Sequence, residues 1–509
     1  MRNIKSIVKK VFVIILVASI QLSCKEDLEL DNLNAVDDRV IGVDLNTTQG
    51  LVNGMYAPLQ SIGMHGRWLN LIYDGVSDEA DTPNNQPNID RISNYLLDGS
   101  NDPVTMSFQA CYQGINRANT LLDKRSAMSF DETTNNTFIG EALFMRAHYY
   151  FVLVTLYGDV PLTLSTQDEA LPQSPQVDVY TQIIEDLKEA AILLPGKGRE
   201  AGRPTNESAY AYLGKAYLYR ADLFNDAVDY TLADEAFGKV VSYSLTPNFI
   251  DNFNTSGEYN DESLFEVGFI EDAASEQGTW TATPEFSNNT TTAGAGVAES
   301  TFRSTEYSAW RTAQPETEFL DKFDRTDPRS SDTFFFQNEP FGTGQYTWGN
   351  RPLDAEGNDL GNFNTPSVTT NVATIKKYSN YIENDIVTVN VDGINRRVLR
   401  YADVLLMRAE AEAKKPGGSL VTAMSYVNQV RSRPSVSMPA LTAADMGSFM
   451  DIIIQERIME LSYEGHRFLD LKRWGIDFDV LNAVNSNYTI DERFLPFPNS
   501  EVQSNPNLK

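Results

Sequence analysis

Three glutamates spaced four apart, Glu456, Glu460 and Glu464, form the pattern in this chain that most resembles chemistry. On a helix that spacing puts side chains on one face, where two carboxylates could serve a glycosidic bond as acid and nucleophile. Arg457, Arg467, Lys472 and Arg473 surround them in the same stretch. Crowded carboxylates stay ionised only beside cations, so the composition favours a charge-paired structural network over a hydrolytic pair. Imidazole-based metal binding has little support: His65, His148 and His466 are isolated, and neither His-Glu-x-x-His nor Cys-x-x-Cys occurs. Asp354, Gly357, Asn358 and Asp359 could offer oxygen ligands to a structural calcium ion, but the rest of an EF-hand loop is missing. Gly342 and Gly344 precede no helical pattern and make a poor phosphate loop. No cofactor is expected.

Aromatic residues set in polar sequence point to a different chemistry. A sugar ring offers one apolar C–H face and a rim of hydroxyls, so flat aromatics stack on it while Asp, Asn, Gln and Arg bond the rim. Trp280, Trp310 and Trp348 lie in such sequence, flanked by Thr279, Arg311, Asn350 and Arg351. They are the leading ligand contacts, weighed against the alternative that each tryptophan anchors its own loop. Tyr346 stands two residues before Trp348 and shares its face if that stretch is extended.

These residues need elements to hold them. Helical periodicity dominates two blocks, roughly 46–245 and 398–475. In the first, Leu143, Phe144, Ala147, Phe151, Val154 and Tyr157 form one stripe, which Gly158 and Pro161 end. A second helix is expected over 179–194, and a third begins at Thr205 with Glu207 and Ser208 in its first turn. That third helix holds Tyr210, Leu213, Gly214 and Tyr217 at tetratricopeptide spacing, with Ala233 and Phe237 suiting the partner helix. The fit demands about seven extra residues in the turn, near Leu223 to Leu232. A similar pair recurs at Tyr401 to Ala413, with Pro416, Gly417 and Gly418 as the turn and Ala423 and Val427 on the second helix. Such pairs bury their faces by stacking, so the two blocks should meet in space. Between them, Gly, Thr, Asn, Ser and Pro mark loops with short strands near 263–270, 333–336 and 386–391.

The N-terminus reads as export. Arg2, Lys5, Lys9 and Lys10 precede an apolar run from Val11 to Ile20, then Ser23 and Cys24. That is a signal peptide, about half as long as the roughly 20 residues that span a bilayer. Cys24 is the expected cleavage and acylation site, with a soluble secreted protein as the alternative. The first 23 residues carry four of the 41 basic side chains and none of the 70 acidic ones, so the balance moves from −29 to −33. Nucleic acid is excluded as a partner by that field. With Cys24 acylated, Cys111 has no disulfide partner and reads as a small buried apolar residue.

Several blocks together resemble the SusD/RagB family of outer-membrane nutrient-binding lipoproteins, over nearly everything after Cys24. They are Ile115–Leu122, Gly140–Phe151 with Leu156–Leu162, Arg400–Ala411 and Glu456–Trp474, with Leu495–Glu501 and Asn505–Leu508 similar to the family's C-terminal segment. The resemblance implies a mainly α fold with minor β: a tetratricopeptide-like scaffold at 46–250 and 400–509, and a large irregular glycan-binding lobe inserted at 251–399. Residues 24–45 would be the acidic tether after a signal peptide at 1–23. The implied partner is a TonB-dependent, SusC-like transporter, over which the protein acts as a lid delivering oligosaccharide; no catalysis is implied. Lys25, Glu26 and Asp27 resemble the signal that sends lipoproteins to the outer face of the outer membrane, so lipid anchoring on the extracellular side is expected. Asp78, near Trp68 and beside Glu79, is the family-implied hydroxyl acceptor, while Trp474 belongs to the core and the run from Trp310 to Phe323 is partly architectural. The acidic balance argues for a neutral glucan, although Arg303, Arg311 and Arg351 could compensate an anionic one. A surface glycoside hydrolase and a protein-binding tetratricopeptide adaptor are the competing readings.

Overall fold

The computed structural model describes residues 40–82, 87–168, 170–269, 313–336, 340–341, 346–347, 373–378 and 394–508. Helices dominate, and the principal ones are α1 (Leu45–Gly54), α2 (Trp68–Gly75), α3 (Asp102–Asp123), α4 (Glu132–Tyr157), α5 (Gln176–Leu193), α6 (Asn206–Phe224) and α7 (Ala227–Phe237), then α8 (Tyr401–Lys414), α9 (Leu420–Arg431), α10 (Met446–Leu461) and α11 (Arg467–Trp474). None of the described helices is long and apolar enough to cross a membrane.

Local signals set the helix ends. Asp131 caps α4 by accepting from the Thr134 amide at 3.0 Å, and Gly158, at φ +75° and ψ −123°, takes a backbone conformation open essentially to glycine alone and stops the helix there. Thr205 and Ser208 form a reciprocal capping box at the start of α6. Most of α4 is buried on all sides, so it forms the spine against which α3 and α5 pack. Gly114 of α3 permits that approach: a Cβ there would stand 2.0 Å from the Tyr149 ring.

The tetratricopeptide pattern has a direct physical reading. A Cβ at Gly214 would lie 2.6 Å from the Phe237 ring, so the glycine opens the seat that Phe237 fills with 1% of its surface exposed. The expected long turn is not there. Asn225, left-handed at φ +57°, and the cap residue Asp226 join α6 directly to α7, and the extra residues lengthen the helices. The second pair turns at Gly417, φ +73°. The two pairs pack through α7 and α8, and Asp234 of α7 accepts from Arg408 at 2.9 Å and from Lys415 at 2.7 Å.

Strand β1 (Ala80–Asp81) pairs antiparallel with β3 (Gln314–Pro315), and β2 (Ser263–Val267) with β8 (Arg396–Arg400). The chain therefore leaves and re-enters the scaffold through adjacent strands, which closes a long excursion on a short base. Within it β4 (Phe334–Phe336) pairs with β7 (Ala373–Ile375), and β5 (Pro340–Phe341) with β6 (Tyr346–Thr347). The strand expected near 386–391 lies outside the described residues.

Candidate functional site

Glu456 and Glu460 occupy the last two turns of α10, but Glu464 does not share their helix, which ends at Leu461. Glu464 sits in the following turn, next to Gly465 at φ +81°. The cations that meet the three carboxylates come from remote segments. Arg329, held by Asp327 at 2.7 Å, reaches Glu456 at 2.7 Å and Glu460 at 2.9 Å. Arg400, the last residue of β8, forks onto Glu464 at 2.7 and 2.8 Å and also reaches Glu460 at 2.6 Å and Glu262 at 2.8 Å. Arg433 bridges Glu460 and Glu262, both at 2.6 Å, while Arg431 takes Glu456 at 2.7 Å and Lys377 takes Glu464 at 3.0 Å.

This arrangement stores charge and does not move protons. Burial alone would raise the pKa of Glu464, but Arg400 and Lys377 outweigh it and hold the group down at about 2. Glu460 is pressed lower still against the same burial by Arg433, Arg400 and Arg329. A general acid needs the opposite shift, toward the working pH, and side chains 0–2% exposed leave no approach for a glycosidic oxygen. The charge-paired reading stands, but its expected cations are corrected. Arg457 pairs with Asp403 at 2.8 Å and Asp470 at 2.7 Å, and Arg473 with Glu410 at 2.5 Å and Asp222 at 2.7 Å. Lys472 donates to the Thr155 and Arg493 carbonyls. Residues next to a helical glutamate project away from its face, so sequence neighbours were poor guides to partners.

Asp78 is also corrected. Its carboxylate is 1% exposed, accepts two bonds from Arg467 at 2.7 and 2.9 Å, and is reached by Lys322. Burial would raise its pKa, yet Arg467 and Lys322 keep it below the ordinary value. Both oxygens are engaged by cations inside the fold, and burial closes them to a sugar hydroxyl. Asp78 instead ties the segment 313–336, through Lys322, to Arg467 of α11, beside the β1–β3 pair and an aromatic cluster in which Phe319 and Phe334 meet Tyr463 edge-on at 6.1 and 5.6 Å. Half-buried Glu316 lies at this junction, pushed up to about 7 by burial and then by Asp81 and Glu318.

Trp474 is only partly buried, with its indole N–H bonded to Glu410 at 2.8 Å, whereas Trp68 is in the core at 4% exposure. The Cys111 thiol, fully buried against the Met64 sulfur at 3.7 Å, is pushed well above its usual range. All three histidines are buried, and burial brings each down to about 3. Among the described residues no three His, Cys, Asp or Glu side chains gather where a metal ion could sit. Tyr346 lies in β6. Cys24, Trp280, Arg303, Trp310, Arg311, Trp348, Asn350, Arg351 and the loop 354–359 lie outside the described residues.

Comparison with known proteins places this architecture. The SusD family profile matches residues 238–509, and a second, described as starch-binding and associating with the outer membrane, matches residues 42–218. A SusD-like protein of Formosa agariphila, P2, is 27% identical over 90% of this chain and 90% of its own length. The crystal structure of a SusD superfamily protein from Bacteroides vulgatus superimposes with a TM-score of 0.72 at 25% identity, covering 92% of this chain and 98% of that one. A laminarin-binding SusD-like protein shares the fold, with a TM-score of 0.71 at 24% identity over 91% of this chain and 98% of its own.

Proposed function

The chain belongs to the SusD family, and from that premise we propose that it is a cell-surface lipoprotein that captures oligosaccharides and passes them to a TonB-dependent, SusC-like outer-membrane transporter. The observation that carries the reading is the pair of profile matches, which together cover both halves of the helical scaffold and bring with them starch binding and outer-membrane association. Acylated Cys24 tethers the protein through the residues ahead of Val40, since Ile41 is already in the core at 2% exposure, leaving the lobe at 251–399 facing the medium. Trp280, Trp310, Tyr346 and Trp348 stack on sugar rings there, and Arg311, Asn350 and Arg351 bond the hydroxyl rim. A fold shared with a laminarin-binding protein suits a neutral glucan, as does the net charge of −29. Catalysis is not part of this function: the best carboxylate pair in the sequence is committed to buried arginines.

Affinity electrophoresis of the mature chain through gels carrying neutral and anionic polysaccharides tests the proposal. Retardation by a neutral glucan is the expected result. Unshifted migration in every gel, with oligosaccharide titrations also flat, would overturn it.

A further inference from the structure

A cavity of about 180 Å³ opens between the ends of α4, α5 and α6, helix α11 and the turn at Ile490–Arg493. It lies on the helical scaffold, apart from the lobe. Lys472, Arg473 and Arg493 line it, and no aspartate or glutamate does. In a chain with 70 acidic and 41 basic residues, that lining is the reverse of the overall charge.

Two of its groups are under-partnered, one without a hydrogen bond and the other without a counter-charge, among the described residues. The Tyr219 hydroxyl, on a side chain 1% exposed, has no hydrogen-bond partner among the described residues. Lys472 is 6% exposed and donates to two backbone carbonyls, but forms no ion pair among the described residues. The buried lysines Lys215 and Lys377 each have a carboxylate, Asp403 and Glu464. Burial lowers the Lys472 pKa to about 7, against the pull of Asp477. Arg473 is already spent on Glu410, Asp222 and Asp470, and Arg493 on Asp477. The rest of the wall is largely apolar and includes the rings of Tyr180, Phe224 and Phe494, with Phe224 exposed at 41%.

We propose that this cavity binds a small carboxylate with an apolar body, such as an arylacetate, with its anionic head on Lys472 and Tyr219 and its ring among Tyr180, Phe224 and Phe494. An anion supplies the counter-charge that Lys472 lacks and an acceptor for the Tyr219 hydroxyl. Size agrees: an apolar cavity of about 150 Å³ holds benzene, so this one takes a single ring and its short acidic arm. The site does not depend on the glycan reading.

The mature chain is titrated with phenylacetate, with phenylacetamide as the uncharged match and acetate as the ring-free one, following heat release and thermal midpoint. Saturable binding of phenylacetate alone is expected, and Tyr219→Phe should weaken it about two- to tenfold, the worth of one hydrogen bond. Lys472→Met should weaken it at least tenfold. Tyr219→Phe only removes an unpaired buried hydroxyl, so it should fold even if the lysine variant does not. Absence of phenylacetate binding, equal binding of the amide, or undiminished affinity in Tyr219→Phe would overturn the proposal.

Discussion

Glu460→Gln removes one charge from a buried network and leaves its shape in place. Among the described residues the network balances five carboxylates, Glu262, Asp327, Glu456, Glu460 and Glu464, against five cations, Arg329, Lys377, Arg400, Arg431 and Arg433. Glu460 accepts from three of those arginines, at 2.9, 2.6 and 2.6 Å. The amide must turn its NH₂ toward at least one guanidinium and leaves one buried positive charge uncompensated. Breaking a buried pair in this way costs about 3–5 kcal/mol. Unfolding entropy of roughly 2.1 cal/mol/K per residue gives a chain of this length about 1 °C of Tm per kcal/mol, so a drop of about 3–5 °C is expected. Glu189→Gln is the control: its pair with Arg125 is 39–45% exposed, and an exposed pair is worth about 1 kcal/mol at most. Scanning fluorimetry of both variants measures the difference. A Glu460→Gln midpoint no lower than that of Glu189→Gln would refute the reasoning, and unchanged glycan retention in the same variant separates stability from binding.

Other expectations follow from the same structure and from the proposed function. Gly114→Ala gains helix propensity but drives a methyl into a fully buried tyrosine ring, so overpacking should prevail and cost about 1–3 kcal/mol in denaturant titration. Stability should stay nearly level from pH 7 to 5 and fall steeply below about 4.5, read as the urea midpoint against pH. Over the upper range His65, His148 and His466, held near 3, lose stability as pH falls below their unfolded value, while Asp74 and Glu316, raised to about 7, gain it. Below it the depressed carboxylates Glu464 and Glu410, both near 2, lose theirs as pH drops toward their folded values; a steady decline through pH 6 would contradict this balance. Cys24→Ala should release the protein from membranes without changing glycan affinity, and retention in cells lacking the transporter would exclude the lipid anchor.

Much of the scaffold was legible because close packing constrains residue type. Gly214 and Phe237 fit one another so tightly that the motif and the contact are the same fact, and Gly158 could end α4 because few other residues take its backbone angles. The turn after α6 was misjudged because a single left-handed Asn225 does the work of a loop. Glu456, Glu460 and Glu464 announced a network, but its cations lie far off in sequence: Arg400 is 60 residues from Glu460, and Arg329 is 131. Only folding brings them together. Asp78 reads as a surface acid within an acidic run, and nothing local reveals that Arg467, 389 residues later, takes both its oxygens.

Glycan capture without cleavage is tested most directly by titrating the mature protein, and its Trp348→Ala variant, with neutral glucan oligosaccharides while assaying released reducing ends. Saturable binding by the wild type, at least tenfold weaker binding by Trp348→Ala, and no rise in reducing ends over the incubation are expected. Steady release of reducing ends, or heats that stay flat for every glucan offered, would contradict it.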